Sequence, residues 1–409
     1  MSQPQAIQPA RGRFGDSGVS ASDGAIIAAR PADGSRLHFL DTIRAAAMLL
    51  GIPFHAALIY AAGPGWFVSS DVSHIFYSYL GGLVSGVRMP LFFCVAGMLS
   101  AIVLAERDAA AWLRRRLFRL GLPLIAATLV IGPLVMLAKA SIDPSPGVID
   151  RWVSLVLQPG EDWIGHLWFL QVLLGCSVLA AALAHFGTRR AGETNSLGFL
   201  QFVTPTVGFF IAASFAVSLW RLGVNGLFYV GETRFGLGGW VHEMVRAEAL
   251  LEYTPYFLLG LIIAGRPVRK SGLTPLAWAL FAACGAIYAV VWNTPEVPAR
   301  MLKYAVLGPF SVLGSVLILD LLRGIISERS DVTDYFVRAS YNVYLFHYPI
   351  VVGLGVMFLR VDLPIHLEFL TIVAVTFLAT LVIDAIIRRT ALLELLFNGV
   401  LQEKRFSNN

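Results

Sequence analysis

The sequence predicts an all-α polytopic membrane protein of about ten transmembrane helices, with both termini in the cytoplasm. Three observations support this prediction: few charged residues, long apolar runs, and an uneven distribution of Lys and Arg among the loops. Of the 409 residues, 57 % are hydrophobic and 14 % are charged, whereas a soluble domain has about 25 % charged residues. All three cysteines lie in apolar stretches, and their small number excludes a disulfide-rich secreted fold.

The chain divides into a membrane domain and two tails. Residues 1–36 are rich in Gly, Ser, Ala and Pro without periodicity, which predicts a disordered cytoplasmic tail. Residues 37–390 form the predicted transmembrane domain, and residues 391–409 form a short cytoplasmic tail. The apolar runs lie near 40–62, 77–104, 117–138, 165–186, 199–222, 253–265, 275–293, 303–322, 336–358 and 367–387. Most reach the ~20 residues that span a bilayer, but the sixth is short and either begins earlier or is re-entrant.

The charges of the loops predict the orientation. With the N-terminus inside, the inside segments hold 20 Lys and Arg residues and the outside loops hold 8, among them Arg221 and Lys303. Because cytoplasmic loops carry an excess of these bases, both termini are expected in the cytoplasm. The chain shows no internal repeat, and therefore no sign of the inverted halves of many transporters.

Several polar and ionisable side chains interrupt the apolar runs, where such groups are costly and usually face the bundle interior. They are Asp41, Arg44, His55, Arg88, His166, Trp168, Ser340, Tyr341, Asn342, Tyr344 and His347. A single intramembrane histidine is often only interhelical glue, and Trp168 alone is typical of an interfacial belt. The similar depth of His55, Arg88 and His347 favours a functional site.

Helix geometry places some of these residues on common faces. Arg44 and His55 are 11 residues apart, which leaves them about 20° from perfect alignment with an axial rise of roughly 16–17 Å. Asp41 lies three residues before Arg44 and can hold its guanidinium. In the ninth run, Tyr344 and His347 share a face with Ser340. Asn342 is offset from that face by about 140°.

Together, these helix faces predict a reaction path from the cytoplasmic side to the middle of the membrane. On the cytoplasmic side, Arg44, Arg116 and Arg119 would hold a phosphate-bearing donor, although the run 114–119 is equally typical of a topology anchor. The spacing from Arg44 to His55 is comparable to the length of a phosphopantetheine arm, which fits acyl transfer from coenzyme A.

At the far end of that path, two side chains suit the chemistry of acyl transfer. His55 would take a proton from an acceptor hydroxyl, and Arg88 would stabilise charge on a carbonyl oxygen. His166 opens the fourth apolar run from the opposite side of the membrane, with Trp168 two residues further on. No nucleophile elbow, nucleotide-binding Gly loop or metal-ligand spacing accompanies these residues.

Several motifs together resemble the acyltransferase 3 family. Arg36, Leu40, Asp41 and Arg44, followed by Gly51-Ile-Pro-Phe-His55, resemble its first helix with the Arg-x10-His spacing. Further similar stretches are Arg88-Met-Pro-Leu-Phe-Phe, Arg116-x-x-Arg119-x-x-x-Pro123, His166-Leu-Trp-Phe-Leu and Tyr341-Asn-Val-Tyr-Leu-Phe-His347-Tyr-Pro349. The resemblance covers nearly everything from residue 36 to 390.

The resemblance implies a multi-pass enzyme of the bacterial inner membrane. Residues 40–60 are most similar to members that succinylate osmoregulated periplasmic glucans, which implies succinyl-CoA, or another short acyl-CoA, as cytoplasmic co-substrate and a periplasmic glucan as acceptor. No tightly bound cofactor, no metal and no nucleic acid partner are expected, and a homodimer stays open. The candidate catalytic residues are His55, Arg88 and His347. The candidate acyl-CoA-binding residues are Arg36, Asp41, Arg44, Arg116 and Arg119. The candidate acceptor-pocket residues are His166, Trp168, Tyr341, Asn342 and Tyr344.

A second class of function stays open from the residues alone. A secondary transporter or flippase of an anionic solute would use the same Arg and His side chains for binding and proton coupling. The missing repeat speaks against it, and the Arg-x10-His spacing with the cytoplasmic arginines favours the enzyme.

Overall fold

The structure, a computed structural model, describes residues 34–63, 66–158, 160–191, 197, 205–236, 240–264, 275–326 and 329–400. Every regular element in these ranges is helical. Eight helices of the described residues are long and apolar enough to cross a membrane, which confirms the all-α polytopic fold. The predicted disordered tail falls almost wholly on residues outside the described ranges, and helix begins at Gly34.

The helices follow the predicted apolar runs closely. In chain order they are α1 (Gly34–Leu49), α2 (Gly51–Ile59), α3 (Ile75–Leu104), α4 (Ala109–Ala140), α5 (Val148–Val156), α6 (Glu161–Ile164), a 3₁₀ turn (Gly165–Leu167), α7 (Trp168–Ala191), α8 (Val207–Phe235), α9 (Trp240–Val245), α10 (Ala247–Ile263), α11 (Pro275–Val291), α12 (Val297–Ile325), α13 (Asp331–Phe358), α14 (Ile365–Arg389) and α15 (Ala391–Asn398). The short sixth run begins earlier than its apolar core, at Ala247. Both α10 and α11 have 17 residues, or about 25 Å of helix, so the count of ten crossings stays a prediction.

The start of α1 and the end of α14 lie at one face of the bundle, here called the terminal face. His38 on α1 approaches Asp334 at the start of α13, with 3.4 Å between Nδ1 and Oδ1. Arg388 at the end of α14 donates from Nη2 to the carbonyl oxygen of Arg338, at 2.6 Å. The two ends of the membrane domain therefore share a face, and its assignment to the cytoplasm remains a prediction.

Helices α3, α12 and α13 form the interior of the bundle, whereas α8 and α14 present most of their surface outward. Of the most apolar 18-residue stretch of α3, 72 % is buried inside the structure, whereas the corresponding stretch of α8 is only 28 % buried. At the α3–α10 crossing, Gly97 and Gly260 bring the two backbones into contact, and a Cβ on either glycine would collide with backbone atoms of the other helix. Small residues of this kind allow membrane helices to pack closely.

The first membrane span is broken between α1 and α2, close to His55. Pro53 has no N–H and cannot donate to the carbonyl of Leu49. The adjoining helical bonds remain, since the amide of Leu50 donates to Ala46 (3.0 Å) and that of Phe54 to Leu50 (3.2 Å). Leu50, the residue between the two helices, keeps a right-handed helical conformation, and α1 and α2 together carry Arg44 and His55 at different depths.

Candidate active site

Three histidines from distant parts of the chain meet in the half of the bundle away from the terminal face. The ring of His347 on α13 lies 5.3 Å from the ring of His55 on α2 and 5.2 Å from the ring of His166 in the 3₁₀ turn. Tyr348 stacks on His166 at 4.6 Å and meets His55 edge-on at 5.0 Å. We call His55, His166 and His347 the histidine cluster.

The hydrogen bonds of His347 determine which of its nitrogens is free. Its Nδ1 lies 2.7 Å from the carbonyl oxygen of Tyr344 and 3.2 Å from that of Val343. A carbonyl only accepts, so Nδ1 carries the proton and donates in the neutral ring. The lone pair is then on Nε2, which is buried and has no hydrogen-bond partner among the described residues. His347 therefore offers a free proton acceptor inside the bundle.

Arg88 and His347 point at one place above Gly51. A Cβ on Gly51 would lie 2.9 Å from Nη1 of Arg88 and 3.0 Å from Nε2 of His347. The glycine keeps this place open, and any larger residue would fill it. The guanidinium of Arg88 lies over the ring of Phe54, 4.7 Å from its centre. Its Nε is buried and has no partner within the described ranges.

His166 is held by backbone groups of α13. Its Nε2 lies 3.1 Å from the carbonyl oxygen of Tyr344 and 3.0 Å from that of Leu345. In return, the hydroxyl of Tyr344 donates to the carbonyl oxygen of His166 at 2.7 Å. These contacts fasten the 3₁₀ turn to α13 and leave Nδ1 of His166 without a hydrogen-bond partner in the described structure.

Two aromatic residues that the sequence analysis did not select complete the surroundings of His55. Trp66, in the loop after α2, stacks on His55 at 5.6 Å, and Tyr348 follows His347 directly. The loop is well anchored, because Val68 is fully buried and the amide of Ser70 donates to Ile59 at 2.8 Å. Only the aromatic character of this loop could have signalled the contact.

Two of the predicted acceptor-pocket residues contact side chains outside the histidine cluster. Trp168 stacks on Tyr253 of α10 at 5.2 Å. Asn342 donates from Nδ2 to Asp384 of α14 at 2.6 Å, as its offset from the face of His347 would suggest. Tyr341 carries a buried hydroxyl with no hydrogen-bond partner among the described residues.

The predicted donor-binding arginines lie nearer the terminal face. Arg44 pairs with Asp41 at 3.0 Å, which is the predicted i, i+3 contact. Arg116 donates from Nη2 to Ser100 at 3.3 Å, and its guanidinium interacts electrostatically with Arg44 and Arg119. Three like charges held close together favour an anion. The side chain of Arg36 lies outside the described part of the chain.

A second buried polar group, here called the Arg221 cluster, lies among α8, α10 and α12. Arg221 was expected in an outside loop, but the structure corrects this, because it occupies the middle of α8 and pairs with Glu252 at 2.8 Å. Asn225 donates to Glu252 at 3.1 Å, and the hydroxyl of Tyr304 donates to Asn225 at 2.5 Å. Arg221 can remain inside the bundle because it pairs with a carboxylate 31 residues away in the chain. A count of Lys and Arg in the loops cannot reveal such a pair.

The described helical bundle holds histidines and an arginine in one half and clustered arginines in the other, and this is the arrangement expected of a membrane acyltransferase. The family model of this acyltransferase domain matches residues 37–388. The chain therefore belongs to the acyltransferase 3 family.

The chain is also similar to named relatives. Glucans biosynthesis protein C of Escherichia coli strain K12 is 27 % identical over 341 residues, which cover 80 % of this chain and 84 % of that protein. The proteins of the same name from Escherichia coli O1:K1 and from O139:H28 strain E24377A show the same identity and coverage. No solved structure matches the chain.

Proposed function

We propose that this acyltransferase moves a succinyl group, or another short acyl group, from cytoplasmic acyl-CoA to a hydroxyl of a periplasmic glucan. The observation that carries the proposal is a pair of nitrogens without hydrogen-bond partners among the described residues, Nδ1 of His55 and Nε2 of His347. The two rings lie 5.3 Å apart, and Nε2 of His347 lies beside the guanidinium of Arg88. The glucan acceptor and the succinyl donor are proposed from the similarity to glucans biosynthesis protein C. The proposal places the protein in the inner membrane of a bacterium, with the terminal face in the cytoplasm.

In the proposed reaction, His55 is the general base. It removes the proton of an acceptor hydroxyl, whose oxygen then attacks the thioester carbonyl carbon. Arg88 stabilises the charge that develops on the carbonyl oxygen. As the new C–O bond forms, the C–S bond breaks, and the thiolate of coenzyme A takes the proton back from the imidazolium of His55. Nε2 of His347 lies beside the guanidinium of Arg88 and is available there as a hydrogen-bond acceptor.

The donor enters from the opposite side to the acceptor. Arg44, Arg116 and Arg119 would hold the phosphates of the coenzyme near the terminal face, since Arg binds phosphate through a planar fork. The pantetheine arm would then follow α1 and α2 to His55, roughly 16–17 Å above Arg44. The sugar would stay outside, where the loop with Trp66 borders the histidine cluster.

A proteoliposome with the purified protein in one orientation tests the proposal. Radiolabelled succinyl-CoA is supplied at the terminal face and glucan at the other face, with the His55→Ala variant as the inactive control. Labelled glucan ester is expected on the glucan side, with free coenzyme A on the donor side. Ester formation when both substrates are confined to the terminal face would contradict the arrangement. Solute that crosses intact without transfer would instead support a transporter.

A further inference from the structure

The C-terminal helix α15 lies between the clustered arginines and the helix of His347. It follows α14 after Thr390 alone and packs against α4, α13 and α14. Phe397 is buried, and its ring lies 5.0 Å from that of Phe346, the residue before His347. At its other end, the cap residue Gly399 meets the backbone of α4 at Arg119. The segment predicted as a short cytoplasmic tail thus contains a packed helix that contacts α4 at Arg119 and α13 at Phe346.

The contact between Gly399 and Arg119 is a backbone contact. Gly399 has a φ of +60°, in the left-handed region, and its amide donates to the carbonyl of Leu395 at 3.0 Å. A Cβ on Gly399 would lie 2.7 Å from Cα of Arg119 and 3.2 Å from its carbonyl oxygen. Backbone atoms cannot rotate away as a side chain can, so this approach needs a glycine.

Pro123 interrupts the internal hydrogen bonds of α4 close to the position that Gly399 contacts. Pro123 lies four residues after Arg119 inside α4 and has no N–H, so the carbonyl of Arg119 receives no helical hydrogen bond from it. Helices bend most readily at such positions. The contact with Gly399 therefore falls at a position where α4 is able to bend.

Helix α15 is itself held in place from the other side. Asp384, near the end of α14, accepts from Asn342 of α13 at 2.6 Å and pairs with Arg388 at 2.9 Å. Arg388 also donates to the carbonyl of Arg338 at 2.6 Å. The end of α14 is thereby fastened to α13, and α15 follows one residue later. Helix α15 is therefore anchored to α13 at its start, before the chain reaches α4.

We propose that α15 is part of the donor site and that Gly399 is a positioning residue for Arg119. By fixing the backbone of α4 at Arg119, the cap sets where this guanidinium meets the phosphates of the coenzyme. The inference rests on the proposed function, because it assigns Arg119 to acyl-CoA. A misplacement of about 1 Å can cost up to roughly a hundredfold in an enzyme site, so a contact of this kind matters without touching the ligand.

A matched pair of glycine variants tests the inference. Gly236 caps α8 with a φ of +61°, and a Cβ there would meet no atom of the described residues within 4 Å. Gly399→Ala and Gly236→Ala impose the same left-handed strain on alanine, but only the first collides with another helix. We expect Gly399→Ala to raise the KM for acyl-CoA by roughly tenfold while kcat changes less than about twofold. Gly236→Ala should leave both constants unchanged. Equal KM values for the two variants would overturn the inference.

A double-mutant cycle shows whether the effect passes through Arg119. In an Arg119→Ala background, Gly399→Ala should weaken acyl-CoA binding no further, since the group that it positions is gone. An undiminished effect in that background would contradict the positioning role. If Gly399→Ala does not accumulate in the membrane, Gly399→Asn and Gly236→Asn make the same comparison, because Asn tolerates the left-handed cap.

The outcomes separate this inference from the proposed function. If Arg44→Ala, Arg116→Ala and Arg119→Ala all bind acyl-CoA as the wild type does, the donor site itself is wrong. If these variants weaken binding and Gly399→Ala behaves as Gly236→Ala does, only the role of α15 is wrong.

Discussion

The histidine cluster and the Arg221 cluster are both buried polar groups, yet they are built differently. In the histidine cluster, each ring keeps one nitrogen that is buried and has no hydrogen-bond partner among the described residues. In the Arg221 cluster, the guanidinium is matched by a carboxylate at 2.8 Å, and further hydrogen bonds join three helices, although Nε of Arg221 lacks a partner in the described residues.

Buried nitrogens without partners are expected where a ligand binds, whereas buried groups with partners hold helices together. A buried polar atom without a partner costs about 1–3 kcal/mol, so keeping one on every ring opposes stability. A buried ion pair with additional hydrogen bonds compensates its own desolvation. We therefore assign His55 and His347 of the histidine cluster to chemistry, with His166 fastening the 3₁₀ turn beside them, and the Arg221 cluster to the fold.

The largest effect on turnover is expected for His55→Ala. Loss of a general base typically lowers the rate by about 10²–10⁴-fold, and Nδ1 of His55 has no hydrogen-bond partner in the described structure whose loss would destabilise the fold. Acyl transfer per milligram of folded protein measures the first effect, and thermal unfolding in detergent measures the second. A folded variant with wild-type turnover would make His55 structural, and His347 would then be the first candidate for the base.

Glu252→Ala is expected to lower the stability of the protein and to leave its turnover nearly unchanged. Removing one partner of a buried ion pair costs about 3–5 kcal/mol, so yield and thermal stability should fall strongly. The fraction that remains folded should transfer acyl groups at nearly the wild-type rate. The paired replacement of Arg221→Met with Glu252→Leu should recover most of the lost stability. A specific loss of turnover in stable Glu252→Ala protein would erase the distinction between the clusters.

The arginines of α4 offer an internal comparison of smaller magnitude. Arg116 is partly buried and lies near Arg44, whereas its neighbour Arg115 is exposed. Arg116→Ala should weaken acyl-CoA binding by roughly 10–150-fold, the value of one lost charged hydrogen bond. Arg115→Ala should leave binding unchanged, and Arg116→Lys should restore it only in part. Equal affinities for acyl-CoA in the two alanine variants would mark the run 114–119 as a topology anchor.

The smallest effect is expected for His166→Gln. His166 donates from Nε2 to two carbonyls of α13, and the amide of glutamine can donate from a similar position. His166→Gln should therefore retain turnover within a few fold, whereas His166→Ala should lose both stability and turnover. If His166→Gln is as inactive as His55→Ala, Nδ1 of His166 takes part in the reaction, and His166 does more than fasten the 3₁₀ turn to α13.

The described structure agrees most closely with what the sequence predicts over short distances. The apolar runs became helices because about 20 consecutive apolar residues have few other stable arrangements in lipid. The Asp41–Arg44 pair formed as predicted, since residues three apart are neighbours on any helix. Tyr344 and His347 face the same region for the same reason.

Contacts between distant segments could not be predicted in this way. His166 meets residues 178 and 179 positions away, Arg221 found its counter-ion on α10, and Trp66 reached His55 through a loop.

The sequence by itself determined an all-α membrane protein and the helix faces that carry its polar residues, because hydrophobicity and helical period act locally. Only the tertiary structure decided which polar residues are paired and which are left free, because pairing depends on how helices far apart in the chain pack. That decision distinguishes His347 from Asn342, since both lie on α13 but one offers a free nitrogen and the other holds Asp384. It also placed α15 against Arg119, where the chain had shown only a tail.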